Sequence, residues 1–232
     1  MSMMAEFDAA ARNLPEAFAR TLRHEVGDLL QTIYAAVAIL QRRLAADATL
    51  EQRVLADLRN RAEACKRLLD NLSDLVTPVN LTFEQVDLAQ VADSLVTVAA
   101  RRYPNREIRS TATSPVCVPA DEKRIAQIGE ILLNQACEAA QRCVSLHARP
   151  NPPSEETEWI IVDDRAEDGP EPFEETAPLF ERLLQDGNRG IDRTLAQRLV
   201  LLHGGRITTD HPPEGGLAVH IWLPNQRPES ES

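Results

Sequence analysis

One stretch near the N-terminus decides the fold: Thr21-Leu-Arg-His-Glu-Val-Gly-Asp-Leu-Leu-Gln-Thr-Ile33. Apolar residues in and around it recur at spacings of 4, 3, 4, 3 and 4, in the order Leu22, Val26, Leu29, Ile33, Ala36, Leu40. This spacing predicts a helix packed in a bundle, with Val26 at heptad position a and Leu29 at position d. His24 then falls at the outermost position, f. Asp28 shares its wet face and Glu25 is its neighbour in sequence. A lone exposed histidine more often has no role, but the rest of the chain argues for one here.

A second long helix follows after a short break. Thr49-Leu-Glu-Gln52 has the form of a capping box, apolar residues recur at 3-4 spacing from Leu55 to Val76, and Pro78 ends the pattern. The two helices form an antiparallel hairpin, with one apolar stripe on each. A homodimer that makes a four-helix bundle would bury both stripes. The alternative is a monomeric hairpin capped by a second domain.

The apolar period changes after this hairpin domain, which we place at residues 1–78. Strands are predicted around 81–88, 106–111, 116–118, 144–148, 159–162, 206–209 and 217–223. Helices are predicted at 88–101, 121–142 and 189–203. This order predicts an α+β sandwich over residues 79–225, with one sheet covered by helices on one face, and a polar tail at 226–232.

Composition excludes several function classes. The 232 residues carry a net charge of −11, and residues 150–181 hold eleven acidic residues against the single base Arg165, so no basic nucleic-acid footprint exists. The four cysteines form no CxxC pair, which argues against zinc. With no apolar run near 18 residues and no signal peptide, we expect a soluble, cytoplasmic protein without a membrane segment.

Four motifs, in order, make residues 15–224 resemble the core of a bacterial sensor histidine kinase. Such a core is a dimerising phosphoacceptor hairpin followed by an ATP-binding domain of the GHKL superfamily. The motifs are the phosphoacceptor box at His24–Ile33, the N box at Glu130–Ala139, the strand Trp159–Asp164, and the last helix with the closing strands at Gln197–Ile207 and Leu217–Pro224. No single motif is decisive, but their order and spacing agree with the family.

The resemblance implies a role for each hairpin residue. His24 would accept a phosphoryl group, and a partner receiver domain of a response regulator would exchange it. An exposed imidazole suits this attack, and a neighbouring carboxylate such as Glu25 can orient the ring and take up its proton. Asp28, one turn on, belongs to the same catalytic set.

The resemblance also implies a nucleotide site. Asn134 would hold Mg²⁺ against the phosphates of ATP, Asp164 would bind adenine, and Glu130 and Gly190 would belong to the same site. Each has a simpler alternative: Asn134 as a polar residue on a helix face, and Asp164 as a turn former at a strand end.

The glycine-rich boxes of the family are depleted in this sequence. Counted from Asp164, the expected glycines are Ala166 and Asp168, and the second box reads Asn188-Arg-Gly190-Ile-Asp192. Glycine lets the backbone approach a nucleotide and present N–H groups to phosphate. Asp168 and Asp192 instead place carboxylates there, and the span for an ATP lid, 169–187, is short. We therefore predict weak use of ATP.

Three functions stay open. The first is a histidine kinase that autophosphorylates His24 and passes the group to a receiver aspartate. The second is an ATP-independent phosphotransferase that exchanges phosphoryl groups between receiver domains. The third is a non-enzymatic scaffold or sequestering partner of a response regulator. Intact Glu130, Asn134 and Asp164 favour the first, whereas the lost glycines and the expectation that no sensor segment precedes the hairpin favour the second.

Overall fold

The computed structural model describes residues 16–44, 49–111, 115–151, 155–166 and 188–227. The chain falls into two compact units, Met1–Val79 and Asn80–Ser232. Among the helices in the described part of the chain, none is long and apolar enough to cross a membrane.

The first unit is a helical hairpin of α1 (Glu16–Arg43) and α2 (Thr49–Val76). Leu30 and Val37 of α1 are buried, at 4% and 2% exposure, and Leu55 and Ala62 of α2 are buried as well. Leu30 and Val37 lie seven residues apart, two turns along one face of the helix. The hairpin interior is therefore built on that face of α1.

The predicted seam of α1 lies on a different face. Leu29 and Leu40, which the heptad pattern assigns to the bundle interior, are 59% and 50% exposed within the single chain. Further apolar residues are exposed on the two helices: Ile39, Leu50, Val54, Leu58. Because adjacent residues of a helix point about 100° apart, Leu29 cannot share the hairpin interior with Leu30. Each hairpin thus has an internal apolar face and a second one that remains exposed.

The second unit contains a five-stranded sheet. Its strands are β2 (Glu107–Ser110), β4 (Cys143–Asn151), β5 (Glu156–Asp163), β6 (Arg206–Asp210) and β7 (Leu217–Pro224), in the spatial order β2-β4-β5-β7-β6. β2 and β4 are parallel, and the other neighbours are antiparallel. β5 pairs along its whole length on both sides, which makes it the centre of the sheet.

A separate two-stranded sheet, β1 (Glu84–Asp87) with β3 (Cys117–Ala120), corrects the prediction of one sheet. Each of its strands leads directly into a helix: β1 into α3 (Leu88–Arg102) and β3 into α4 (Glu122–Ala139). Asp87 and Asp121 cap these helices by accepting from backbone N–H groups of their first turns. The small sheet therefore fixes where the two helices begin.

Helices α3, α4 and α5 (Asn188–Leu202) accompany the sheets. Trp159 of β5 is fully buried, and a Cβ on Gly129 of α4 would lie 2.4 Å from its Cη2 atom. Only glycine lets α4 approach the indole so closely. The other fully buried large side chains are Leu88, Ile125, Ile128, Leu133, Leu146, Ile161, Leu195, Leu199, Leu217, Ile221 and Leu223. The fold class is α+β: a helical hairpin followed by a layered α/β unit.

His203 links two elements of this unit from within the core. Its side chain is fully buried, Nδ1 lies 2.7 Å from the Leu199 carbonyl, and Nε2 accepts from the Asp121 N–H at 3.1 Å. The second contact requires a lone pair on Nε2, so the proton lies on Nδ1 and the ring is neutral. Burial, the largest cause, lowers the pKa of His203.

Candidate functional site

His24 stands on the outer face of α1. Its side chain is 75% exposed, and Nδ1 lies 3.3 Å from Oδ2 of Asp28, whose side chain is 67% exposed. The two groups are within ion-pair distance, and in a neutral ring a proton on Nδ1 would face this carboxylate and leave the Nε2 lone pair for solvent. Glu25 is exposed too, but the carboxylate that meets the ring is that of Asp28.

A groove runs along the hairpin beside the histidine face. A cavity of 270 Å³ is lined in part by Arg23 and Gly27 of α1, and a second of 570 Å³ continues toward the far end of the hairpin. Both cavities share Tyr34, Lys66 and Asp70. Arg23 directly precedes His24, so the groove begins next to the histidine.

The predicted nucleotide residues of α4 and α5 lie in separate places. Asn134 accepts a long hydrogen bond, 3.5 Å, from Nη1 of Arg102 on α3. Glu130 is exposed on α4, and Gly190 is buried in the first turn of α5. The roles of these three residues remain predictions.

Asp164 holds a turn. Its Oδ1 accepts from the backbone N–H groups of Gln141 and Arg142 at 2.8 and 2.9 Å, and its Oδ2 accepts from Arg142 at 3.0 Å. Burial by itself would raise the pKa of Asp164, but hydrogen bonds from Arg142, Cys143 and Gln141 outweigh it and lower the pKa. This placement corresponds to the turn-forming alternative, and a role in adenine binding remains a prediction.

The preceding residue, Asp163, is the carboxylate that is buried. It is 3% exposed at the end of β5, and Arg165 folds back onto it with Nε–Oδ1 and Nη2–Oδ2 distances of 2.8 and 2.5 Å. Such a paired fork is the strongest geometry between these groups. A Cβ on Gly216, at the start of β7, would lie 2.0 Å from the Asp163 carbonyl oxygen, so glycine is required there.

Arg165 also lines a small cavity between α4 and α5. Its other polar lining residues are Gln135, Arg189 and Arg193, and its volume is about 30 Å³. One water needs roughly 10–15 Å³ by this measure, whereas pockets for cofactors span about 300–1,000 Å³. Bounded by the described residues, the cavity is far smaller than a nucleotide. Asp168 and the predicted lid span 169–187 lie outside the described residues.

All three arginines contact other side chains. Arg165 pairs with Asp163, and Arg189 Nη2 lies 3.2 Å from Oε2 of Glu138. The third, Arg193, donates from Nε to Oε1 of Gln135 at 3.3 Å.

Sequence reasoning missed Asp163, Arg165, Gln135 and Glu138, although one signal could have found the first of them. Successive side chains of a strand point to opposite faces of the sheet, so Asp163 shares a face with the buried Trp159 and Ile161. Asp164 belongs to the opposite face. No comparable signal marks Arg165, whose role depends on a turn after the strand.

Solved structures of sensor histidine kinases share this fold. Full-length ShkA in complex with AMPPNP matches 93% of this chain with a TM-score of 0.72 at 19% identity, and the match covers 47% of ShkA. The histidine kinase AdeS of Acinetobacter baumannii matches 87% of this chain and 96% of its own, with a TM-score of 0.59 at 14% identity. The mycobacterial sensor histidine kinase MprB matches 63% of this chain and 100% of its own, with a TM-score of 0.53 at 25% identity.

Compared by sequence alone, the chain matches no protein-family model and no curated protein. The structural matches define the class of fold: a histidine kinase core, in which a helical hairpin is followed by a GHKL-type α/β domain. This chain spans about half the length of full-length ShkA.

Proposed function

We propose that this protein carries a phosphoryl group on His24 and exchanges it with the receiver aspartate of a response regulator. The observation that carries the proposal is the geometry of His24: an imidazole that is 75% exposed on a histidine kinase fold, with the Asp28 carboxylate 3.3 Å from Nδ1. The alternative of a passive scaffold gives no reason for this orientation.

The transfer step balances between groups of the two proteins. Nε2 of His24 attacks the phosphorus of the receiver's aspartyl phosphate. A P–N bond forms as the P–O bond to the aspartate breaks, and the aspartate leaves as a carboxylate. The Asp28 carboxylate, 3.3 Å from Nδ1, stabilises the positive charge that develops on the imidazole by electrostatic attraction. The reverse step returns the phosphoryl group to a receiver.

The groove beside His24 is our candidate docking surface for the receiver domain. Its two cavities lie side by side and share Tyr34, Lys66 and Asp70, so the groove presents an aromatic ring between opposite charges. Aromatic anchors with a polar rim are typical of protein–protein interfaces.

We further propose that the exposed apolar face of the hairpin forms a homodimer. Leu29, Leu40 and Leu58 are 59%, 50% and 41% exposed on neighbouring helices. A symmetric pairing of two hairpins into a four-helix bundle removes these side chains from water in both copies.

The source of the phosphoryl group distinguishes kinase from phosphotransferase. An ATP-fed kinase needs room for nucleotide and Mg²⁺, which the resemblance places at Asn134 and Asp164. Neither residue lines the cavity of about 30 Å³ between α4 and α5, where Arg165 pairs with Asp163. The loss of glycines at 166, 168, 188 and 192 favours a phosphotransferase that is supplied by a phosphorylated receiver domain.

The test is phosphoryl exchange with the intact chain. Receiver domains are labelled with a small phosphodonor and mixed with wild type, His24→Gln or His211→Gln, the last being a matched change of another exposed histidine. We expect acid-labile, base-stable label on wild type and His211→Gln, and none on His24→Gln. Label that persists on His24→Gln would refute the assignment. Label from Mg·ATP alone would identify a kinase.

A further inference from the structure

The cavity between α4 and α5 carries chemistry that phosphoryl transfer at His24 does not use. The charged residues among its described lining are all arginines: Arg165 just after β5, and Arg189 and Arg193 in the first turns of α5. The rest of its lining is Gln135 and apolar residues of α4 and β7. No acidic side chain is among the described residues that line it.

Gln135 adds an unsatisfied donor. Arg193 donates to Oε1 of Gln135, which fixes the orientation of the amide, because an N–H must meet an oxygen. The opposite atom, Nε2, is buried and has no hydrogen-bond partner among the described residues. A buried donor without an acceptor is destabilising, so an acceptor inside the cavity would remove this cost.

We propose that this cavity binds a small oxyanion, of the class of inorganic phosphate, and not a nucleotide. Guanidinium groups and an amide N–H are the donors that oxyanions prefer. The volume of about 30 Å³ admits a ligand of a few atoms. The site is independent of His24, which belongs to the other compact unit.

Charge balance explains why the site should be moderate in strength. Asp163 neutralises Arg165, and Glu138 pairs with Arg189 at the rim, where both side chains are about half exposed. Asp192 lies next to Arg193 in sequence and adds a further carboxylate on α5. We therefore expect millimolar affinity, a dissociation constant of about 1 mM.

The experiment titrates phosphate into the intact 232-residue chain at constant ionic strength and follows heat and the side-chain amide ¹⁵N–¹H signals of glutamine. Wild type should bind saturably, with a shift of the Gln135 amide. Gln135→Leu, which keeps the size of the side chain but removes the donor, should weaken binding at least about tenfold. Arg109→Gln is the control, because Arg109 pairs with Glu107 on β2 and both side chains are exposed.

Several results would overturn the proposal. One is the lack of saturable phosphate binding by wild type, and another is phosphate binding by Gln135→Leu as tight as that of wild type. A third is competition by Mg·ATP with a higher affinity than phosphate, which would make phosphate a fragment of a nucleotide ligand. Circular dichroism of Gln135→Leu confirms that the variant is folded. His24→Gln should bind phosphate like wild type, so loss of receiver exchange and loss of the anion site are separate outcomes.

Discussion

Leu29 and Leu30 are adjacent in sequence, yet the structure assigns them opposite roles. Leu30 is 4% exposed in the hairpin interior, whereas Leu29 is 59% exposed on the face that we propose for the homodimer. Truncation of each to alanine therefore separates folding of the hairpin from assembly of the dimer. The two variants have the same composition and are controls for each other.

The magnitude follows from exposure. Full burial of a leucine side chain contributes about 1.5–3 kcal/mol, so the exposed part of Leu29 represents about 0.9–1.8 kcal/mol per copy. In a twofold dimer each copy contributes once, which gives about 2–3.5 kcal/mol per dimer. Leu29→Ala should therefore raise the dimer dissociation constant by roughly 20- to 300-fold, at about 1.4 kcal/mol per factor of ten.

Leu30→Ala should instead destabilise the fold of the hairpin by about 2–5 kcal/mol, the usual cost of a cavity in a packed core. Sedimentation equilibrium over a range of concentrations measures the dissociation constant, and denaturant unfolding followed by circular dichroism measures stability. A wild type that is monomeric at tens of micromolar would refute the dimer. So would a Leu29→Ala variant that dimerises normally, or one that loses as much folding stability as Leu30→Ala.

Three further predictions concern the site and the core. Asp28→Asn should slow phosphoryl acceptance by His24 by up to about fivefold, since exposed ion pairs contribute about 0.2–1 kcal/mol. Quenched-flow transfer from a labelled receiver domain measures this rate. An unchanged rate would exclude an orienting role for Asp28. The free energy of unfolding should fall as pH drops below about 6.5, because burial lowers the pKa of His203 and the unfolded chain then binds more protons than the folded one. Urea unfolding midpoints from pH 8 to pH 5.5 test this. His203→Gln should be less stable than wild type at pH 8 but should lose less stability on acidification. Mg·ATP should leave the melting temperature of the protein unchanged. A bound nucleotide at 100 times its dissociation constant would add about 2.7 kcal/mol to the free energy of unfolding. A clear rise in melting temperature would favour the ATP-fed kinase.

The order of the elements was predictable because each depends on local patterns. The predicted strand at 144–148 and helix at 121–142 correspond to β4 and α4, and Asp121 caps that helix. Apolar periodicity and capping chemistry act within a few residues of one another, so one sequence suffices to reveal them. The separate sheet of β1 and β3 was not predictable in this way, because strand pairing joins residues about thirty positions apart.

The face on which α1 packs was harder to predict for a related reason. The 3-4 spacing from Leu22 to Leu40 identifies an apolar stripe but not its partner, which can be α2 or a second copy of the chain. Leu30 and Val37, which are buried against the hairpin interior, form a shorter repeat beside that stripe. A helix with two apolar faces needs tertiary information to tell them apart.

The nucleotide residues raise the question of what holds the α/β unit together if its cavity takes no nucleotide. The described structure answers it residue by residue. Asp164 is satisfied by backbone N–H groups of the turn at 141–142, and Asp163 by Arg165. His203 joins the end of α5 to the start of α4 from inside the core. Because buried polar groups are costly only when they lack partners, these three side chains need no bound ligand as a partner. Among the described residues that line the cavity, Nε2 of Gln135 is a buried donor without such a partner, which is why we place the ligand there.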